Sequence, residues 1–280
     1  MPGVPLSTAR RWVSDSWNWF SSLTISDRAS ISGNQMVTGY YLCNKEVVNP
    51  LYKDYVFSYT RMTDEELRRI NMHTRYRYGY RVTTVITNVP KYLQWLTRMF
   101  LNIGGRIEGR KIGNLNELIG KYDVIANCLG LGSRNLFKDD KIHAIRGQLV
   151  KVKADWIKYW MYTDDGAYIL PGENTVTIGG VRQVNDYNLE IDTKDRESIK
   201  EKCHRLWPPL KGANVVGEWV GLRPSRTPVR LESEVIHLPG GKLNVVHNYG
   251  HGGVGIALSW GSSLHATELV KDFLSSYSRL

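Results

Sequence analysis

Cysteine is scarce. Only Cys43, Cys128 and Cys203 occur in 280 residues. Their odd number and wide spacing give neither a disulfide framework nor a zinc knuckle a basis, so a reducing compartment is the expectation. Long apolar runs are absent too. No stretch reaches the about 18 residues that a membrane-spanning helix needs, and the opening MPGVPLSTARRW lacks the apolar core of a secretory leader. There is no internal repeat and no low-complexity linker. The net charge is +10, yet the basic residues are scattered rather than blocked. Their densest run, Arg68, Arg69, Arg75, Arg77 and Arg81, is interleaved with tyrosines. It reads as a solvated face whose arginine stems lie along the surface, not as a nucleic-acid patch. Neither a nucleic acid nor a membrane is therefore an expected partner.

What remains is ordinary globular composition, 42% hydrophobic and 23% charged, enough for one large domain or two smaller ones. Residues 8–23 have the period of an amphipathic helix carrying Trp12, Trp17, Phe20 and Leu23. Segments 35–43, 54–60 and 79–87 read as strands. Thr63 followed by three acids opens a helix, because the positive end of the helix dipole favours acids in the first turn. A further helix runs from Asn88 and Pro90 to about Leu101, with Tyr92, Leu93, Leu96, Met99 and Phe100 expected to face inward, and Gly104-Gly105 ends it. Residues 123–130 form a short buried strand entering a glycine turn. More strands are expected at 147–153, 167–170, 175–181 and 214–220, which points to a mixed or antiparallel sheet.

The last third holds a strand at 243–247, a turn rich in glycine (Gly250, Gly252, Gly253, Gly255) and a helix to about Leu274. Such a turn brings backbone N–H groups and a positive helix end close to a ligand, and suits a phosphate or the edge of a flavin. On pattern alone a tight connection is the more common explanation. The chain closes on Ser278-Arg279-Leu280, which matches the S-K-L peroxisomal address with charge retained. A peroxisomal import receptor is the partner this tail implies.

The string Val245-Val246-His247-Asn248-Tyr249-Gly250-His251-Gly252-Gly253-Val254-Gly255, with Gly261 beyond it, resembles the C-terminal signature of the D-amino-acid oxidase and D-aspartate oxidase family. Ser263 stands where that family usually has alanine. Six further segments follow in family order: Lys91 to Leu96, Asn127-Cys128 with Gly130, Arg146-Gly-Gln148, Tyr168 to Gly172, Thr175 to Gly180, and Gly221-Leu-Arg-Pro224.

The resemblance implies FAD as cofactor, with a D-amino acid and oxygen as reactants. Hydride would leave Cα for the flavin, and peroxide, ammonia and a 2-oxo acid would be the products. It assigns Arg223 to the substrate α-carboxylate, which a rigid guanidinium fork grips through two parallel bonds. Sequence context alone would favour a structural ion pair there. Tyr168 is implied to help bind the same carboxylate, although a strand tyrosine is ordinarily a core residue with its hydroxyl at the rim. Arg182 resembles the aspartate branch's partner for a side-chain carboxylate, while Tyr162 stands where that branch often has a second arginine. Arg230 is implied to lie beside the flavin, and the backbone of Gly250, His251, Gly252, Gly253, Val254 and Gly255 to face flavin and substrate amine. Arg146, Gln148 and Asn127 to Gly130 read as packing residues.

The family opens with a strand, a G-x-G-x-x-G turn and a helix that cradle the FAD pyrophosphate. No such element is found, and residue 1 aligns beyond it, so an N-terminal truncation is expected. The expected fold is α/β and two-lobed: an incomplete FAD-binding lobe (1–45, 121–145 and 224–280) and a substrate lobe with a large mixed sheet (46–120 and 146–223). A homodimer is compatible with it. Two alternatives are a catalytically silent relative that binds a D-amino acid or partner without stable FAD, and a glycine or sarcosine oxidase of the same fold class.

Overall fold

Ala9, Trp12, Ser16, Phe20 and Leu23 recur at three- and four-residue steps, and all are buried along one face of the first helix. The computed structural model describes residues 2–70 and 76–277. In chain order its elements are α1 (Leu6–Thr24), α2 (Ala29–Ser32), β1 (Asn34–Cys43), β2 (Ser58–Arg61), α3 (Asp64–Ile70), β3 (Tyr78–Thr87), α4 (Val89–Asn102), β4 (Ile125–Asn127) and α5 (Ser133–Leu136). They continue with β5 (His143–Lys153), β6 (Trp160–Thr163), β7 (Tyr168–Pro171), β8 (Val176–Gly179), β9 (Gln183–Val184), α6 (Thr193–Leu206), β10 (Asn214–Leu238), β11 (Gly241–His251) and α7 (Ser259–Tyr277).

The chain divides into two compact units. The first comprises residues 1–19, 103–145 and 223–280, and the second residues 20–102 and 146–222. The expected lobes had placed 20–45 with the first and 103–120 with the second. β1 pairs antiparallel with β3 along its whole length, from Asn34 opposite Thr87 to Cys43 opposite Tyr78, and that ladder holds it in the second unit. Residues 112, 115, 118 and 119 pack on Leu243 and Val245 of β11, which holds their segment in the first.

In the second unit the strand order is β2-β3-β1-β6-β7-β8-β5. β1 runs parallel to β6, and the remaining pairs of known register are antiparallel, so the sheet is mixed as expected. Its core gathers Leu42, Val150, Ile169, Ile178, Ile199, Cys203 and Leu210, all essentially without solvent exposure. α3 is started by a capping box: Thr63 Oγ1 accepts from Glu66 N–H at 3.2 Å, and Glu66 Oε2 accepts from Thr63 N–H at 2.9 Å. Arg69 and Arg81 of the basic run pair with Glu65 and Glu66 at the surface, while Arg75 lies outside the described residues.

α4 corrects one expectation. Tyr92 and Trp95 are buried, whereas Leu93, Met99 and Phe100 are exposed. Tyr92 meets Phe20 at 5.3 Å between ring centroids, so a narrow aromatic seam rather than the wide apolar stripe packs inward.

In the first unit the C-terminal portion of β10 pairs antiparallel with β11, and β11 runs parallel to β4. The N-terminal half of α1 packs on α7. Ser16 Oγ accepts the Gly261 N–H at 2.9 Å, and any Cβ at Gly261 would overlap the Trp12 backbone. That contact explains the glycine in the signature. The strand expected at 214–220 runs on to Leu238, so Gly221-Leu-Arg-Pro224 lies inside β10.

Candidate active site

The site in the first unit is built by an irregularity in the β10/β11 ladder. Ser225 lies opposite His251 and Arg230 opposite Tyr249, so Arg226 to Val229 face a single residue, Gly250. A bulge of this kind bends a strand and re-aims its side chains. Gly250 has φ +94°, and a Cβ there would stand 2.7 Å from Cβ of Arg226. Only glycine serves at that position.

Beyond His251 the chain makes one 3-10 turn, Gly252–Val254, before α7. Gly252 has φ +57°. Gly253 is different. It is exposed, has no positive φ, and a Cβ on it would meet only Cδ of Arg223, at 3.9 Å. Nothing among the described residues demands a glycine there, and the space above its backbone is open.

The side chain of Arg223 thus lies beside Gly253. The Arg223 Nη1 is buried and has no hydrogen-bond partner, and no carboxylate pairs with Arg223 among the described residues. Asn248 Oδ1 and His251 Nε2 are likewise buried and unpartnered. A buried polar group left unsatisfied costs about 1–3 kcal/mol, more when charged, so each of these atoms calls for a partner. Burial holds the His251 imidazole below its ordinary pKa, so the ring is neutral. It lies 5.9 Å from the Trp12 ring.

Arg230 is placed next to the bulge, but its charge is fully engaged. It donates to Glu232 at 2.7 Å, Glu234 at 2.9 Å and the Tyr249 hydroxyl at 3.1 Å. Tyr249 donates in turn to Asp139 Oδ2 at 2.6 Å, and Arg226 Nε meets the same oxygen at 2.7 Å. Burial pushes the Asp139 carboxyl up, but the bonds from Tyr249 and Arg226 outweigh it and hold the group below the usual range. One carboxylate therefore ties the bulge of β10 to β11 at the start of the glycine turn. Glu234 also faces His247, which is fully buried, at 2.9 Å from Nε2. On the ring's other side Asn127 Nδ2 lies 3.0 Å from Nδ1. Asn127 Oδ1 accepts the Leu129 N–H at 3.1 Å, which fixes the amide, so Nδ1 accepts and Nε2–H donates to Glu234. Sequence reading gave Asp139, Arg226 and Glu234 no role. Their partners are far away in the chain and no local pattern marks them.

In the second unit Tyr168 is half-buried on β7. Its ring covers the backbone of Gly179 and Gly180, where any Cβ would overlap it, and stacks on Tyr162 at 6.0 Å and 7°. Tyr162 in turn lies 6.2 Å from Tyr41 on β1. Two residues beyond Gly180, Arg182 is exposed and forms no ion pair among the described residues. Arg146 and Gln148, read as packing residues, are buried on β5. Ser278-Arg279-Leu280 lies outside the described residues.

An FAD dependent oxidoreductase family matches residues 7–269 of the chain. D-aspartate oxidase of Homo sapiens is 37% identical over 274 residues, covering 97% of this chain and 80% of that protein. D-aspartate oxidase 1 of Caenorhabditis elegans is 33% identical over 275 residues, covering 95% and 82%. D-amino acid oxidase of Dugesia ryukyuensis is 31% identical over 271 residues, covering 95% and 80%. Among solved structures, glycine oxidase from Geobacillus kaustophilus superposes with a TM-score of 0.73 at 15% identity over 97% of this chain and 80% of that one, a likeness of fold. The buried, unpartnered groups around a glycine turn thus sit in a chain that belongs to the FAD-dependent oxidoreductase family.

Proposed function

We propose that this chain catalyses the FAD-dependent oxidative deamination of D-amino acids, with acidic, D-aspartate-like substrates preferred, giving a 2-oxo acid, ammonia and hydrogen peroxide. The observation that carries the proposal is the Arg223 guanidinium, with a buried Nη1 that has no partner and its side chain against Gly253. A substrate α-carboxylate supplies the missing acceptors and, through two parallel bonds, fixes the amino acid's orientation. By resemblance to the family, Tyr168, its ring held between Tyr162 and the Gly179-Gly180 backbone, is a further substrate-binding residue. Arg182, exposed and without an ion-pair partner, takes the side-chain carboxylate of an acidic substrate.

The turn fits a flavin. Gly253 leaves open the space that a Cβ would fill, and unpaired atoms of Asn248 and His251 await partners. Gly250, His251, Gly252, Gly253, Val254 and Gly255 would hold the cofactor through backbone, while Arg230, already neutralised by Glu232 and Glu234, sets the turn's shape. FAD, when bound, supplies the two-electron acceptor. The chain's own task is to orient the substrate, to neutralise its carboxylates and to keep His251 uncharged beside the site.

The test is direct. The purified chain is given FAD and D-aspartate, and peroxide and oxaloacetate are measured. Turnover of D-aspartate above D-alanine supports the reading, and absence of both products at saturating FAD sinks it. Arg182→Leu should cut the D-aspartate to D-alanine ratio of kcat/KM about a hundredfold, since an arginine–carboxylate pair is worth two factors of ten at about 1.4 kcal/mol each. An unchanged ratio would make Arg182 structural. Ser278-Arg279-Leu280 completes the proposal as the tail that an import receptor reads for the peroxisome. Deleting it should leave a tagged protein in the cytosol, and an unchanged distribution would remove that role.

A further inference from the structure

Arg146 is 1% exposed, and every one of its five N–H donors is used. Nε donates to the Asn188 carbonyl at 2.9 Å. Nη1 donates to Gln183 Oε1 and to Asp195 Oδ2, both at 2.6 Å. Nη2 donates to Gln148 Oε1 at 3.0 Å and to the Glu190 carbonyl at 2.8 Å. Gln148, its neighbour on β5, accepts the Asp192 N–H at 2.9 Å and donates to the Asp192 carbonyl at 2.9 Å. Gln183 closes the set by donating to both oxygens of Asp195 at 3.1 Å. Apart from Gln148, each of these partners lies between residues 183 and 195.

A packing role alone does not account for this arrangement. The segment from 185 to 192 is irregular and largely exposed, its chain reversed by Asn185 at φ +61°. Such a loop is ordinarily mobile, because few apolar contacts restrain it. Here a single buried cation grips the chain just before the loop at 183 and the loop itself at 188 and 190, and Gln148 grips it at 192. The residue immediately before the first grip is Arg182. The Arg182 side chain is exposed and touches no acid among the described residues, so its direction depends on its backbone, which is held at Gln183 by the pairing of β9 with β5 and by the bonds of the Gln183 side chain to Arg146 and Asp195.

We propose that Arg146, acting through Gln183 with Asp195 and Gln148, is a positioning residue that fixes Arg182 and so sets the preference for acidic substrates. This rests on the substrate reading given above for Arg182. A cation on a wandering loop must be ordered when substrate binds, and the lost entropy weakens binding. One held in advance binds without that loss. The neutral D-amino acids make no use of Arg182 and should be indifferent to the clasp.

Gln183→Ala is the sharpest variant, since it cuts the link next to Arg182 and leaves the Arg146–Asp195 pair standing. Arg146→Lys is the companion, retaining charge without the five-donor fork. Two readouts are taken. The first is the rate at which trypsin cuts the native protein after Arg182, followed by mass of the fragment that begins at Gln183. The second is kcat and KM for D-aspartate and for D-alanine. Gln183→Ala should speed cleavage about tenfold, the effect of losing a hydrogen bond to a charged group on a local opening. It should raise KM for D-aspartate about tenfold, with kcat for D-aspartate and both constants for D-alanine within about twofold.

Unchanged cleavage overturns the anchoring, whether or not the protein is active. Faster cleavage with an unmoved substrate ratio overturns the link to recognition. A parent protein that oxidises neither substrate overturns the functional reading itself, while the cleavage rate still decides whether Arg146 holds the loop. If Arg146→Lys does not fold, Gln183→Ala alone gives both answers.

Discussion

Replacing Asp139 with asparagine removes one charge and almost no volume. The Asp139 side chain is 5% exposed and that of Arg226 12%, with 2.7 Å between the carboxylate and Nε. Tyr249 donates to the same oxygen, and Arg230 Nη1 lies 3.9 Å away. Removing one partner of a buried pair costs about 3–5 kcal/mol, because the other charge is stranded. Arg226 keeps a 2.7 Å bond to the Pro228 carbonyl and asparagine still offers an oxygen, so the lower figure, about 3 kcal/mol, is expected. At about 2 °C per kcal/mol for a chain of this length, the melting temperature should fall by about 6 °C at neutral pH. Glu65→Gln is the control. Its pair with Arg69 is exposed on both sides, and the melt should move by less than about 1 °C. The pH dependence follows from the sign of the shift. The Asp139 carboxyl is held below its unfolded value, so its contribution is complete above about pH 4 and is lost as pH falls through the folded value. The gap between parent and variant should therefore stay constant from about pH 8 to 5 and close only below about pH 4. A gap under about 1 °C, or one already closing between pH 7 and 5, would refute the clasp.

Two other outcomes are expected. Burial, reinforced by the Arg230 charge, holds His247 below its ordinary pKa against the pull of Glu234. The unfolded chain then takes up a proton near pH 6.5 that the folded chain refuses, so stability drops as pH falls through that region, and His247→Gln should flatten the slope of melting temperature between about pH 7 and 5.5. Gly253→Ala should leave the melt within about 2 °C of the parent, because a Cβ there meets only Cδ of Arg223 at 3.9 Å, yet weaken FAD binding, read by quenching of flavin fluorescence, by about tenfold or more. Equal loss of both would mean that the glycine serves the fold.

How much of this was legible in the sequence depends on the distance over which each feature is encoded. Local signals carried α1, β3 and the start of α3, since periodicity, Thr63 and its following acids act within a turn or two. The inward face of α4 did not follow from pattern. Leu93, Met99 and Phe100 have the right spacing but remain exposed, while Tyr92 and Trp95 are buried. The strand expected at 214–220 continues through Gly221, Pro224 and Pro228 to Leu238, because the prolines sit in and beside a bulge that a long strand tolerates. Arg223 and the glycine turn were found because both lie in recognisable strings. The clasps were not. Asp139 meets Arg226 and Tyr249 across 87 and 110 residues, and Arg146 reaches Gln183 across 37, distances at which no spacing rule speaks.

The central claim is that Arg223 clamps a D-amino acid against a flavin held by the turn at Gly253. Anaerobic titration of the FAD-loaded protein with D-aspartate tests it, reading loss of the oxidised flavin absorbance in the parent and in Arg223→Ala. The parent should bleach at micromolar to millimolar substrate, and Arg223→Ala should retain its flavin spectrum but require at least about a hundredfold more D-aspartate. Equal bleaching of the two proteins, or a parent that holds FAD and is left unbleached by any D-amino acid, would contradict the account.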